Sequence, residues 1–513
     1  MTAELVFGDD VIAAEAIEQR ASLVAGGLDR LGIEDGDVVA VMLRNDPAYI
    51  EIMMGCRIAG CYHCPINWHF KAGEAQYILS DSGAKVLFLH EDLMPVIVDA
   101  VPESVTIVVV RPHPHVIQSY RVESVARAGA DNHIDYEAWL ARQTAYSGPP
   151  RAPRGHMAYT SGTTGRPKGV RRLVVSPESR PAQEILWLAT IREVYGIGPG
   201  VRALCSAPLY HSAPSGFAQQ VLLQGERFVL APRFDAEETL KLIERHQIQS
   251  VYLVPTMYVR LLRLPLETRT RYDLSSLRFV ASTGSPCAPE FKRAMIDWFG
   301  PVIHETYASS ETGFLTVIDA PTAIRKPGSA GKPLEGVCLK ILDANGRLCQ
   351  PGEVGTIYAK QTAVPDFTYN NNASARQAIE RDGLITLGDM GYLDEEGYLY
   401  VCDRATDMVI SGGVNIYPVE IEHVLINFPG ISDCAVFGIP DDEFGEALVA
   451  AIIVDPEVKI APDEITDYLT SRIADYKVPR RVDIVTSLPR DDNGKVAKHK
   501  LREPYWNGRA RRI

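Results

Sequence analysis

Apolar residues Ile17, Ala21, Val24, Leu28 and Leu31 recur at steps of four and three, which places them on one face of a helix. Gly32 and the Asp35-Gly36 turn end that helix. Val38–Leu43 is then an unbroken apolar run, the pattern of a strand buried on both faces. A helix over Tyr49–Ala59, a strand over Tyr62–Ile66, a helix over Glu74–Ser80 and a strand over Lys85–Leu89 follow. That order predicts βαβ units in a mostly parallel sheet.

Prolines and polar turns break the rhythm across Arg111–Arg154, which reads as a connection with a short helix. Alternation resumes with a strand at Phe228–Leu230, a helix at Ala236–His246 and strands at Ser250–Val254 and Leu277–Ser282. Short strands and turns around Gly328–Gly355 suggest a small β subdomain. After Asp403 the pattern predicts a compact α+β segment, with helices at Pro418–Asn427 and Asp463–Ala474 and strands at Asp433–Phe437, Ala447–Val454 and Arg481–Val485. The predicted fold is α/β. It has a large N-terminal domain of mostly parallel sheets with flanking helices and a small β subdomain, then a smaller α+β C-terminal domain. A chain of 513 residues exceeds what one core holds, so two unequal domains meeting near residue 404 are expected.

The composition narrows the function. Hydrophobic residues make up 46% of the chain, yet the longest apolar run, Ala447–Val454, falls far short of the roughly 18 residues of a membrane span. No basic segment followed by an apolar stretch opens the sequence, so a cytoplasmic protein is expected. Lys and Arg number 52 against 65 Asp and Glu, and the resulting net charge of −13 makes nucleic acid a poor partner. Nine cysteines fit reduced thiols. Cys61 and Cys64 form a C-x-x-C around His63, but no second pair stands at zinc spacing, and buried thiols are the better reading.

The most informative stretch is Tyr159–Val170, Y-T-S-G-T-T-G-R-P-K-G-V. Hydroxyls at Thr160, Ser161, Thr163 and Thr164 and glycines at 162, 165 and 169 surround Lys168. Glycines let backbone N–H groups approach a phosphate, hydroxyls add donors, and the lysine adds positive charge. Pro167 and Gly169 flank the lysine where a Walker A loop needs Gly and Ser or Thr, so that pattern fails.

The stretch resembles the signature loop of the adenylate-forming superfamily of acyl-CoA synthetases, peptide-synthetase adenylation domains and luciferases. Further family motifs follow in order from about residue 17 to 502. The resemblance implies that a carboxylic acid reacts with Mg-ATP to give an acyl-adenylate and pyrophosphate, and that the acyl group then passes to a thiol, usually that of coenzyme A. It assigns the ATP phosphates to Thr160, Ser161, Gly162, Thr163, Thr164 and Gly165, with Lys168 beside them and Thr164 among the catalytic residues. Pro208–Ser212 resembles the segment that gates the acid pocket, here with His211. Gly284, Ser285 and Pro286 resemble the loop lining adenine. Glu305, Thr306 and the motif Tyr307-Ala308-Ser309-Ser310-Glu311 resemble the segment whose Tyr packs on adenine and whose Glu binds Mg²⁺. Oxygen ligands suit that hard cation. Leu387-Gly388-Asp389 matches the ribose-binding motif with Leu387 where Thr is usual and Leu384 where Trp is frequent.

Asp403-Arg404 resembles the family's D-R pair, with Arg404 expected near the ribose and α-phosphate and Thr406 at the hinge position. The implied organisation is an AMP-binding domain over residues 1–403, a hinge at 404–406 and a mobile domain over 407–513. Ser411, Gly412 and Gly413 resemble the face lining the pantetheine channel, and Pro489–Lys495 the loop whose lysine, Lys495, contacts the acid and the α-phosphate. The expected partners are ATP, CoA and a small, mostly apolar carboxylic acid, and the chain is expected as a monomer or homodimer. An amide-forming ligase or an enzyme loading a carrier protein shares every ATP motif and differs only in the acceptor. No basic residue is placed near the pocket motifs to recognise a second carboxylate, though ones distant in sequence could fold in.

Overall fold

The computed structural model describes residues 1–122, 133–160, 167–285, 287–412, 414–456, 458–490 and 496–506. By contacts the chain divides into two compact units. The first comprises Met1–Pro327, Pro333–Val337 and Gln361–Ile379, and the second Gly328–Lys332, Cys338–Lys360 and Glu380–Ile513. The small β subdomain expected around Gly328–Gly355 thus groups largely with the C-terminal segment. Among the described residues no helix is long and apolar enough to cross a membrane.

The first unit contains two parallel arrays. One runs Tyr62–Pro65, Val38–Met42, Val86–His90, Thr106–Val110 and Ile134–Asp135, every pair parallel. All five residues of Val38–Met42 are buried, as the unbroken apolar run requires. The other runs Ile303–Ser309, Phe279–Ser282, Ser250–Leu253, Arg202–Cys205, Arg227–Leu230 and Glu4–Phe7, again parallel throughout. Gly313–Asp319 closes one side as an antiparallel hairpin with Ile303–Ser309. The N-terminal strand Glu4–Phe7 was not expected, because four residues carry too little periodicity to announce themselves.

Helices cover these sheets. Ala14–Arg30 packs its expected face, Ile17, Ala21, Val24 and Leu28, into the core beside the helix Pro47–Ala59. Asp46 caps the second helix by accepting from Ala48 N, and Gly60 ends it in the left-handed conformation at φ 67°. The two helices approach closely at Gly55: a Cβ there would lie 2.5 Å from Val24 Cγ1. Cys61 and Cys64 are buried free thiols, and the strand Tyr62–Pro65 holds His63 in the interior.

In the second unit the long antiparallel pair Ile431–Asp441 and Gly445–Val454 carries the parallel strand Arg481–Ile484 on its far side. The helix Pro418–Leu425 buries Ile421 and Leu425 against this sheet. Beneath that helix, Lys498 Nζ stands 2.9 Å from Glu422 Oε1 and 3.8 Å from Asp403 Oδ2. Asp403 also accepts from the N–H groups of Arg404 and Val419. Burial pushes the Asp403 carboxyl up to about 6 despite the lysine, with Glu422 and Asp407 adding to the rise.

Two outcomes follow from this packing. Gly55→Val forces a branched side chain into Val24 and is expected to lower the unfolding free energy by about 2–3 kcal/mol in urea denaturation. Asp403 holds its proton more tightly folded than unfolded, so its contribution to stability is full below about pH 4 and is lost as pH rises through about 6. Subtracting the stability–pH curve of Asp403→Asn from that of the wild type should leave a fall of up to about 3 kcal/mol across that window.

Candidate active site

Among the described residues singled out in the first unit, Gly284, Ser285 and the segment ending at Glu311 follow the carboxyl ends of parallel strands, where open α/β sheets present ligand sites. Phe279–Ser282 leads into Thr283 and Gly284, and Gly284 takes φ +102°, a conformation that favours glycine. Thr283 Oγ1 donates to Thr306 O, and Thr306 Oγ1 to Ser282 O, which stitches this loop to the neighbouring strand. Ile303–Ser309 carries Glu305, Thr306, Tyr307 and Ala308 toward the hairpin, with a register shift between Tyr307 and Ala308. Gly313 at φ +75° turns the chain back, so Ser310, Glu311 and Thr312 form the hairpin tip.

Glu311 is the centre of the arrangement. Its side chain is buried, and its Oε1 accepts from Thr160 Oγ1 at 3.0 Å and from Tyr369 Oη at 3.1 Å. No described residue forms an ion pair with it, and its other oxygen takes no hydrogen bond from any described residue. Arg172 lies close enough to interact electrostatically but gives its N–H groups to the carbonyls of Ser310 and Pro365, at 2.6 and 2.8 Å. Burial lowers the Arg172 guanidinium to about 10, still charged at neutral pH. Lys168 opens the strand Lys168–Arg172 and sets its ammonium 5.3 Å from the centre of the Tyr369 ring. A small antiparallel sheet of Phe367–Tyr369, Lys168–Arg172 and Tyr159–Thr160 fixes these groups.

Glu305 has a different setting. Its carboxylate is buried and paired with the equally buried Lys292 Nζ at 3.0 Å. His211 precedes the helix Ser212–Gln224, packs against Tyr210 and is held near a pKa of 4 by desolvation, hence neutral at pH 7. Ser212 Oγ and Ser310 Oγ lie 2.9 Å apart and tie the start of that helix to the hairpin tip. Ser285 follows Gly284 in the same loop. Ser161, Gly162, Thr163, Thr164, Gly165 and Pro286 lie outside the described residues, as do Gly413 and Lys495.

In the second unit Asp389 and Arg404 stand opposite each other on adjacent antiparallel strands, with Arg404 Nε 3.5 Å from Asp389 Oδ1. Gly388 turns at φ +81°, and its carbonyl accepts from Ala405 N. Arg502 holds the following segment by donating to Thr406 O and pairing with Asp407. Ser411 ends a short strand, and Gly412 N donates to Phe444 O.

Three residues that support the site were not found by sequence reasoning. Tyr369, Arg172 and Lys292 belong to no motif singled out there; Tyr369 and Arg172 act on residues far away along the chain, and Lys292 on Glu305 in the next strand. The only local signal was the short β-prone run Phe367–Tyr369. Among the described residues no group of three or more His, Cys, Asp or Glu side chains forms a metal cage. A lone buried carboxylate held by hydroxyls instead fits a magnesium ion that takes its remaining oxygens from phosphates and water.

Comparison with known proteins places this geometry. The AMP-binding enzyme family profile matches residues 4–365, and that of the AMP-binding enzyme C-terminal domain matches residues 420–495. A fatty acid–[acyl-carrier-protein] ligase, ScoC, of Streptomyces coeruleorubidus is 30% identical over 97% of this chain and 92% of its own length. A feruloyl-CoA synthase of an Amycolatopsis species is 31% identical over 97% of this chain and 95% of its own. The ATP-bound crystal structure of MatB from Rhodopseudomonas palustris superposes with a TM-score of 0.83 at 26% identity, covering 98% of this chain and 96% of that one. The chain belongs to the AMP-binding enzyme family and is an ATP-dependent, AMP-forming ligase of the adenylate-forming superfamily.

Proposed function

We propose that the chain is an acid–coenzyme A ligase that joins a carboxylic acid to AMP, releases pyrophosphate and then transfers the acyl group to the thiol of CoA. The observation that carries this reading is the Glu311 carboxylate, buried without an ion pair among the described residues and fixed by two hydroxyls, one of them on Thr160 at the start of the phosphate loop. A magnesium ion bound there would supply charge neutralisation between the β- and γ-phosphates. Thr160 through Gly165 would donate hydroxyl and backbone N–H groups to those phosphates, and Lys168 would add charge. Asp389 would accept the ribose hydroxyls, with Arg404 beside them.

A carboxylate attacking a phosphoryl group brings two anions together, so the protein's task is positioning and electrostatic relief. In this reading Lys495 lies between the acid and the α-phosphate during the first step. It withdraws by rotation about residues 404–406 to admit the pantetheine thiol along Ser411, Gly412 and Gly413. The mostly apolar side chains around Val254–Tyr258 and Gly313–Leu315 support an acid with an apolar body. The similarity to ScoC supports a second acceptor, the thiol of a carrier protein, for the same adenylate. Mass spectrometry of products formed with CoA or with a phosphopantetheinylated carrier protein separates the two.

Tyr369→Phe removes one donor from Glu311 and keeps the ring under Lys168. Loss of a hydrogen bond to a charged group, about 1.5–3 kcal/mol, should lower kcat/KM for pyrophosphate release at least roughly tenfold. A magnesium titration should show a raised requirement; an unchanged titration would place the metal elsewhere. Lys495→Ala should abolish adenylate formation, by roughly 3–4 kcal/mol of barrier, yet still convert supplied acyl-adenylate to thioester. Equal loss of both half-reactions in single-turnover assays would remove the support for a two-position lysine loop.

A further inference from the structure

A cavity in the first unit shares no lining residue with the Glu311 cluster. The helix Pro47–Ala59, the strand Tyr62–Pro65, residues 155–156 and the helix Ser212–Gln224 enclose it. Its enclosed space is small, about 30 Å³, which is room for a small polar group and not for a whole ligand. The lining is polar for so buried a place: Arg57, His63, His156, Ser215 and Gln219, with Gly216 between the last two.

Several of these groups lack partners. His63 is 2% exposed, and neither ring nitrogen has a hydrogen bond within the described structure. Its ring stands edge-to-face on Tyr49 at 5.2 Å, so packing holds it in place without satisfying its nitrogens. Arg57 is half-buried and has no hydrogen bond or ion pair with any described residue; the acid that acts on it, Glu184, is exposed on another helix. Native interiors rarely leave such groups unanswered. Burial keeps His63 near a pKa of 3 and His156 near 4, so both rings are neutral at pH 7 and Arg57 carries the charge.

One helix runs from the hairpin tip that carries Glu311 to the cavity. Ser212, Ser215, Gly216 and Gln219 fall on one stripe of a single helix. At the N-terminal end of that stripe Ser212 meets Ser310 of the hairpin tip, and at the other end Ser215, Gly216 and Gln219 line the cavity. A rise of 1.5 Å per residue separates the two ends by about 10 Å. Packing does not demand the glycine between them: a Cβ on Gly216 would touch only Tyr195 Oη, at an ordinary 3.5 Å. The glycine places no side chain at this point of the stripe.

We propose that this cavity receives a second carboxylate at the far end of the acid, held by Arg57 and hydrogen-bonded by His63 and His156, so that the enzyme selects a dicarboxylic acid. The guanidinium suits a carboxylate because its N–H groups present a planar fork. The inference rests on the acid-activating reading and adds the class of acid.

Suberate and octanoate, equal in carbon number and different only at one end, test it. In pyrophosphate release the wild type should prefer suberate at least roughly tenfold in kcat/KM, as expected for one charge-assisted interaction. The ratio should collapse at least roughly tenfold in Arg57→Met and return in part in Arg57→Lys. A ratio unmoved by Arg57→Met, or octanoate preferred by the wild type, overturns the inference while leaving acid activation intact. Release from no acid at all would instead sink the acid-activating reading. Calorimetry without ATP reads the anion site alone: suberate should bind the wild-type chain and lose at least roughly tenfold in affinity in Arg57→Met, and equal binding overturns the proposal.

Discussion

A carboxylate taken out of water must be answered by donors or a cation, and Glu311 sets that requirement for the N-terminal unit. Its two hydroxyl donors come from Thr160 and Tyr369, 151 and 58 residues away in the chain. Bringing them to one oxygen requires the hairpin of Ile303–Ser309 and Gly313–Asp319 to meet the small sheet of Tyr159–Thr160, Lys168–Arg172 and Phe367–Tyr369. Arg172 locks that meeting by binding the carbonyls of Ser310 and Pro365 instead of the carboxylate itself. A direct Arg172–Glu311 ion pair would have cancelled the charge internally. The arrangement found leaves the carboxylate's second oxygen without a protein donor among the described residues, and under the proposed reading that oxygen would be available to a magnesium ion.

Much of the first unit was legible because parallel strands buried on both faces are written as apolar runs. Val38–Met42 and Val86–His90 lie where those runs predict, and Ala236–His246 spans the residues expected. Element ends moved by a few residues where capping decided the boundary, as at Pro418–Leu425, expected to Asn427. The helices Arg180–Tyr195 and Ser212–Gln224 were missed. The first exposes much of its length, and the second carries Pro214 and Gly216, which blur a 3.6-residue period.

Site residues divide along the same line. Hydroxyl, glycine and lysine crowding in one stretch is a local signal, and so is a Glu inside a Tyr-Ala-Ser-Ser-Glu motif. Tyr369, Lys292 and Arg57 carry no such mark, because their meaning lies in what the fold sets against them. Lys292 reads as a helix lysine until it is found buried against Glu305. Arg57 reads as a last-turn basic residue, favourable to the helix dipole, until the helix Ser212–Gln224 closes a cavity over it. Nothing in the sequence therefore signals that Arg57 would line a cavity, because the helix that covers it lies more than 150 residues further along the chain.

The histidines complete the electrostatic argument. His63, His156 and His211 are all held near 3 or 4 by burial, so none changes charge between pH 5 and 8. General acid–base catalysis by any of these three at neutral pH would need its ring poised near 7. Activation of an acid by ATP has no such need, since the attacking carboxylate is already ionised and pyrophosphate leaves as an anion. What it needs is fixed positive charge and oriented dipoles, which lysine, arginine and hydroxyl groups supply without titrating. Neutral imidazoles instead offer one donor each in a dry wall, an environment that can orient a ligand's oxygens without altering the charge of the pocket as pH varies.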